Sequence, residues 1–264
     1  MSYAKSDYNE FYDPKLVAVY NTICALGDEK EFYLNIAKEL SAEKIVDLGS
    51  GTGLLTTELA NQGHKMIGVE PSKLMLEVAR KNSQSLDIEW VKGNASNLKE
   101  FNADLVIMTG HVAQFHIEDE EWKNALKSIN KTLKDGGYLV FESRNPDVQS
   151  WNTNTKKAKN TSSNYTDWYA PNFFKVFNDP VEGDIEYRAK LLEVSGEKVT
   201  SESHYRFTKT GEELTSANTL IFRTRKEIED SLKEAGFSIE KVYGNWDKSI
   251  ANEESPEFIF IVKK

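Results

Sequence analysis

The chain has 264 residues, 39% of them hydrophobic, a formal net charge of −9 and a single cysteine. That is enough apolar material for a sizeable core, in one large domain or in a domain carrying an inserted lobe. The acidic balance argues against a phosphate backbone as the main partner, since non-specific nucleic-acid binding comes from clustered Lys and Arg.

No apolar run approaches the ~18 residues of a membrane span, and the first residues lack a signal-peptide core. Cys24 alone permits neither an intrachain disulfide nor a cysteine-based metal site, so a reducing, cytoplasmic setting away from membranes is expected, with no metal. The one dense basic run, Lys156-Lys157-Ala158-Lys159, reads as a solvated loop.

In chain order, Pro14 to Ala25 has helical spacing through Leu16, Val17, Val19, Tyr20 and Ile23. Asp28 is the expected N-cap of a second helix running to about Leu40. From residue 44 onward strands are predicted at 44–48, 65–69, 87–91, 104–108 and 137–143, with helices at 54–62, 72–82 and 119–134. Strands apolar on both faces and separated by helices predict a parallel sheet covered on both sides. Residues 146–165, rich in Asn, Thr, Ser and Lys, read as a loop or lid. Alternating runs at 173–177, 184–194, 199–208 and 213–223, with turn composition at Ser195-Gly196-Glu197 and Lys209-Thr210-Gly211, predict an antiparallel sheet built from hairpins. A helix at 225–235 and strands at 237–245 and 257–263 complete the pattern. The expected organisation is therefore an α/β core of residues 1–145 and 224–264, with residues 146–223 as an inserted β lobe roofing the carboxyl ends of the core strands.

The densest chemical signal is Ile45-Val46-Asp47-Leu48-Gly49-Ser50-Gly51-Thr52-Gly53. A short apolar strand ends in an acid, and alternate glycines then let the backbone turn sharply beside a ligand. Glu70 closes the next apolar run, nineteen residues after Gly51, where a carboxylate can accept both hydroxyls of a ribose. A dinucleotide fingerprint would require Gly or Ala at position 54, which is Leu, and no Lys follows to cradle a triphosphate. These residues read as a nucleoside-cofactor site at the mouth of a parallel sheet.

The pattern Asp-x-Gly-x-Gly-x-Gly resembles motif I of the class I S-adenosylmethionine-dependent methyltransferases. The resemblance continues through Gly68-Val69-Glu70-Pro71-Ser72, Trp90-Val91-Lys92-Gly93-Asn94-Ala95, the run Ala103 to His111, and Leu133 to Phe141. With Phe11-Tyr12-Asp13-Pro14 at the start and Tyr243 to Asp247 near the end, it is nearest the small-molecule group that includes amino-sugar N,N-dimethyltransferases. It implies a Rossmann-like seven-stranded sheet with an inserted antiparallel β lobe, S-adenosylmethionine as cofactor, and in-line methylation of a small-molecule acceptor at nitrogen or oxygen. It is compatible with a homodimer.

Carried over residue by residue, the resemblance implies that Gly49, Gly51 and Gly53 approach the methionine part of the cofactor and that Asp47 orders its ammonium. Glu70 holds the ribose, Pro71 or Met75 packs near the adenine, and Asn94 with Ala95 lies at the adenine edge, Asn94 standing where many relatives have Asp. Thr109, Gly110 and His111 line the floor near the sulfonium. His111 is the candidate catalytic group, able to take a proton from an acceptor or to order it; a loop imidazole satisfied by backbone or water is the alternative. For the acceptor, Trp168 and Tyr169 are expected in a pocket or lid, and Tyr12, Arg206 and Trp246 as further contacts. Phe173 and Phe174 are expected in the core of the inserted sheet. A non-catalytic cofactor-binding module and a nicotinamide-dependent oxidoreductase remain open as other readings.

Overall fold

The computed structural model describes residues 9–149, 151 and 174–264. Helices α1 (Asn9–Tyr12), α2 (Pro14–Ile23) and α3 (Glu29–Glu39) lead into an alternation of β1 (Lys44–Leu48), α4 (Leu54–Asn61), β2 (Lys65–Glu70), α5 (Lys73–Asn82), β3 (Ile88–Lys92), β4 (Ala103–Met108), α6 (Asp119–Thr132) and β5 (Leu133–Arg144). Strands β6 (Lys175–Asp179), β7 (Gly183–Ser195), β8 (Lys198–Phe207) and β9 (Glu213–Ile221) follow, then α7 (Arg225–Glu234), β10 (Ser238–Tyr243) and β11 (Glu257–Lys263).

Side-chain alternation along the core strands sets the layers. Leu105 and Ile107 of β4 enter one apolar cluster, and Val106 and Met108 enter the other. In β11, Ile259 and Ile261 are divided in the same way from Phe258, Phe260 and Val262. A strand buried on both faces needs a helical layer over each. Phe32, Tyr33 and Ile36 of α3 and Leu55 and Leu59 of α4 cover the first face. Trp122, Leu126 and Ile129 of α6, with Ile228 and Leu232 of α7, cover the second.

The strand order is β10-β11-β5-β4-β1-β2-β3. β1 pairs in parallel with both β2 and β4, whereas β11 runs antiparallel to its neighbours β5 and β10. The connections reverse direction between β1 and β4, and in such sheets ligands sit in the crevice outside the carboxyl ends of the strands at that point. This is the expected seven-stranded arrangement.

The second sheet is a four-stranded antiparallel meander in the order β6-β7-β8-β9. Its inner face is covered by the amino-terminal part of the chain: Leu16, Val19 and Ile23 of α2 pack on Phe177, Ile185, Tyr187, Tyr205 and Phe207. Asp13 starts α2 by accepting from the amides of Lys15 and Leu16, with Pro14 at the first helical position.

Three local expectations are corrected. Asp28 has helical dihedrals and caps nothing; the Glu29 carboxylate accepts from the Gly27 amide instead. α6 stops at Thr132, because Leu133 is already extended, buried and paired with Ala103 of β4. Phe174 lies at the surface, 48% exposed, with the Arg188 guanidinium over its ring; Phe173 lies outside the described residues.

Candidate functional site

The loop after β1 is tied to β2 by two amides, those of Gly49 and Ser50, which both donate to the Val69 carbonyl at 2.8 and 3.1 Å. Gly49, Gly51 and Gly53 all have left-handed φ, at +80°, +54° and +77°, a region that carries strain for residues with a Cβ. They nevertheless face different surroundings. A Cβ on Gly49 would lie 2.5 Å from Val112 Cγ2, and one on Gly53 would lie 2.4 Å from Trp90 Cη2. A Cβ on Gly51 would meet nothing within 4 Å. Two of the glycines are thus demanded by packing, and Gly51 by the open crevice.

Glu70, at the end of β2, is buried and holds both neighbouring loops. Its Oε2 accepts from the Gly51 amide at 3.0 Å and its Oε1 from the Ser72 amide at 2.8 Å. Burial raises its pKa, and the two backbone donors oppose that rise. Asp47, at the end of β1, is 1% exposed. Its Oδ2 accepts from Thr56 Oγ1 at 2.6 Å, whereas its Oδ1 is buried without a hydrogen-bond partner. Burial pushes its pKa up to about 7, the Thr56 bond works against this, and the charges of Glu70 and Glu142 add to it.

At the end of β4, Thr109 is partly buried, Gly110 is exposed with φ +70°, and His111 is buried with φ +63°. A carboxylate pair holds His111. Its amide donates to Glu142 Oε1 at 2.7 Å, and its Nε2 lies 3.1 and 3.2 Å from the two oxygens of Glu257. The other Glu142 oxygen accepts from the Tyr33 hydroxyl. Burial raises the Glu142 pKa, against the influence of His111 and Tyr33. Strands β5 and β11 and helix α3 therefore position one loop from β4.

The amino-terminal helices close over the same crevice. Thr52 Oγ1 donates to Asn21 of α2, and Ser72 Oγ donates to the Phe11 carbonyl of α1. Phe11 sits edge-on to Phe115, with ring centroids 5.7 Å apart.

The remaining candidate residues are dispersed. Met75 is fully buried and Pro71 exposed, while Ala95 is buried beside an exposed Asn94 whose Oδ1 accepts from the amide and hydroxyl of Ser96. Tyr12 is 53% exposed. Arg206 pairs at 3.0 Å with Glu186 across the outer face of the small sheet. Trp246 packs on Phe32 and Tyr33 of α3. Trp168 and Tyr169 lie outside the described residues. Sequence reasoning missed Thr56, Tyr33, Glu142 and Glu257. The signal for the last two was a carboxylate at the end of an otherwise apolar strand, as at Asp47 and Glu70.

Residues 45–137, which hold β1 to the start of β5, match the family described as a methyltransferase domain. The fold is that of the class I methyltransferases. An uncharacterized methyltransferase from Oceanobacillus iheyensis is 33% identical over 135 residues, covering 51% of this chain and 62% of the relative. The chain spans about half the length of the curated relatives it matches. The fold of an S-adenosylmethionine-dependent methyltransferase from Clostridium acetobutylicum superposes with a TM-score of 0.75 at 18% identity, covering 94% of this chain and 97% of that one. A sugar N-methyltransferase from a Streptoalloteichus species superposes at 0.70 with 15% identity, covering 99% and 95%. The four-stranded sheet is thus included in the shared architecture.

The residues of the methyltransferase crevice fit S-adenosylmethionine. The open side of Gly51 gives room, the unpartnered Asp47 Oδ1 suits an ammonium, and the Glu70 carboxylate beside Gly51 is of the type that accepts ribose hydroxyls. Among the described residues no group of His, Cys, Asp and Glu could hold a metal ion, and no helix is long and apolar enough to cross a membrane.

Proposed function

We propose that the chain transfers a methyl group from S-adenosylmethionine to a small-molecule acceptor, nitrogen or oxygen, by in-line displacement. The observation that carries this reading is the juxtaposition of open space at Gly51 with the buried, unpartnered Asp47 oxygen, both within the loop that Glu70 fastens. The matched family and the whole-length likeness to a sugar N-methyltransferase support it. When bound, the cofactor supplies an electrophilic methyl on a sulfonium.

The chain's own residues then bind and orient. Asp47 receives the ammonium of the methionine moiety, and Glu70 exchanges its amide contacts for ribose hydroxyls. Thr109 and Gly110 leave the approach to the methyl open, and His111 orders the acceptor or takes its proton. Holding the acceptor lone pair ~3–3.5 Å from the methyl, with water excluded, can supply ~7–11 kcal/mol of the barrier in well-oriented systems. Isothermal calorimetry tests the reading: S-adenosylhomocysteine binds and NADH does not. Binding of NADH with no response to S-adenosylhomocysteine would replace methyl transfer with redox chemistry.

Asp47 also predicts a pH effect. A carboxyl whose folded pKa is raised contributes stability below its unfolded value, and that contribution is lost as pH rises through the folded pKa, here about 7. A rise from 3.8 to about 7 corresponds to roughly 4 kcal/mol at most at ~1.4 kcal/mol per unit. Asp47→Asn should therefore stabilise the unliganded chain more at about pH 8 than at about pH 5, and should flatten the increase of S-adenosylhomocysteine affinity with pH. Thermal melts across that range, with and without ligand, check both. Identical pH slopes in the two proteins would remove Asp47 from the ammonium site.

A further inference from the structure

The inner face of the small sheet is not uniformly apolar. At one end lies the cluster made with α2, containing Phe177, Ile185 and Phe207. At the other end Val199, Leu220 and Phe222 pack with Phe115 and Trp151. Between them runs a band of polar side chains. Ser203 of β8 pairs in register with Ser216 of β9, and Ser201 with Asn218. The Tyr187 hydroxyl lies 2.8 Å from Ser203 Oγ. A sheet face that serves only as core has no use for such a stripe, because each buried hydroxyl and amide must be desolvated.

A carboxylate from α1 enters this band. Glu10 Oε1 accepts from Asn218 Nδ2 at 2.6 Å, its Oε2 accepts from the Tyr205 hydroxyl at 3.2 Å, and its amide donates to Ser216 Oγ at 3.1 Å. Burial raises its pKa against these three donors. Among the described residues no Lys, Arg or His pairs with it. A second acceptor stands beside it: Asn218 Oδ1 is buried without a hydrogen-bond partner, and the bond from Nδ2 to Glu10 fixes which end of that amide is oxygen. A desolvated carboxylate next to an unsatisfied carbonyl, with no cation at hand, favours a ligand that brings positive charge and several N–H donors.

The band also adjoins the methyltransferase crevice. Glu10 precedes Phe11, whose carbonyl takes the Ser72 hydroxyl and whose ring meets Phe115 beyond β4. The Tyr20 hydroxyl lies within electrostatic reach of both Glu10 and Glu70.

We propose that this polar band, with Glu10 and Asn218 at its centre, is the acceptor subsite, and that it selects a protonated amine on a hydroxyl-bearing small molecule over neutral and anionic counterparts. The assignment rests on the methyl-transfer reading for its purpose. It places acceptor recognition on α1, β8 and β9, away from Arg206 and Trp246. Ser201, Ser203 and Ser216 offer hydroxyl partners to the acceptor's own hydroxyls, and the apolar clusters on either side bound the subsite.

The test uses the full chain saturated with S-adenosylhomocysteine and three probes of one size: D-glucosamine below the pKa of its amine, D-glucose and D-glucuronate. Saturation-transfer NMR should show glucosamine bound and the other two weaker. Glu10→Gln keeps the shape of the side chain but not its charge, and should reduce glucosamine affinity at least about tenfold, the scale of one charge-assisted hydrogen bond, with S-adenosylhomocysteine affinity unchanged. Should Glu10→Gln not fold, Asn218→Ala removes the neighbouring acceptor and should give the same loss. Equal binding of the three probes, preference for glucuronate, absence of glucosamine binding, or variants that lower the melting temperature but keep the preference would each overturn the proposal and leave Glu10 as a strap between α1 and β9. Failure of S-adenosylhomocysteine itself to bind would instead strike the methyl-transfer reading.

Discussion

Gly51→Val is expected to abolish S-adenosylhomocysteine binding and to leave the chain folded. A Cβ at this position meets no atom within 4 Å, so the added methyl groups project into the crevice and displace no side chain of the core. The cost to the unliganded fold is backbone strain at φ +54°, of order 1–3 kcal/mol for a β-branched residue in that region. Affinity should fall by more than about a hundredfold, equivalent to ~2.7 kcal/mol.

Gly53→Ala should behave in the opposite way. Its Cβ would lie 2.4 Å from Trp90 Cη2 and 3.1 Å from Ala79 Cβ, so overpacking of ~1–3 kcal/mol adds to the left-handed strain. That variant is expected to melt earlier and, where folded, to retain affinity. Calorimetry and thermal melts on the pair separate the two roles. Intact ligand binding by Gly51→Val would show that the cofactor lies elsewhere.

The second large effect concerns His111. If this imidazole orders or deprotonates the acceptor, His111→Ala should lower turnover by about 10²–10⁴-fold, the usual reach of general acid–base catalysis, with the S-adenosylhomocysteine dissociation constant unchanged. Glu257 acts through it. With both its oxygens 3.1 and 3.2 Å from His111 Nε2, it fixes the ring orientation. Glu257→Gln should cost about tenfold in kcat, on the scale of one hydrogen bond to a charged group, with the acceptor KM unchanged. A merely structural role for Glu257 would lower the melting temperature and leave kcat in place. Release of S-adenosylhomocysteine, followed with an amine acceptor over a range of acceptor concentrations, provides the measurement.

Much of the core was legible because its signals are local. Unbroken apolar runs in Leu105 to Met108 and in Phe258 to Val262 mark strands buried on both faces, and reading them needs no knowledge of partners. The glycine run and Glu70 announce a ligand turn for the same reason. Boundaries were less secure. α6 yields to β5 at Leu133 because pairing with Ala103, thirty residues earlier in the chain, outweighs the helical preference of the neighbouring lysine. Phe174 looked like core by composition alone, yet it sits at the start of the sheet, beyond the face that α2 covers.

The sequence by itself determined a cofactor-type turn after the first core strand, an acid at the end of the second, and an alternating α/β core interrupted by hairpins. Only the tertiary structure decided that the three glycines answer to Val112, open space and Trp90 respectively. It alone brought Glu142 and Glu257 onto His111, and Glu10 onto Asn218. The physical reason is distance along the chain. A carboxylate's role depends on which donors surround it once it is buried, and these donors come from segments 31, 146 and 208 residues away, where no local pattern can register them.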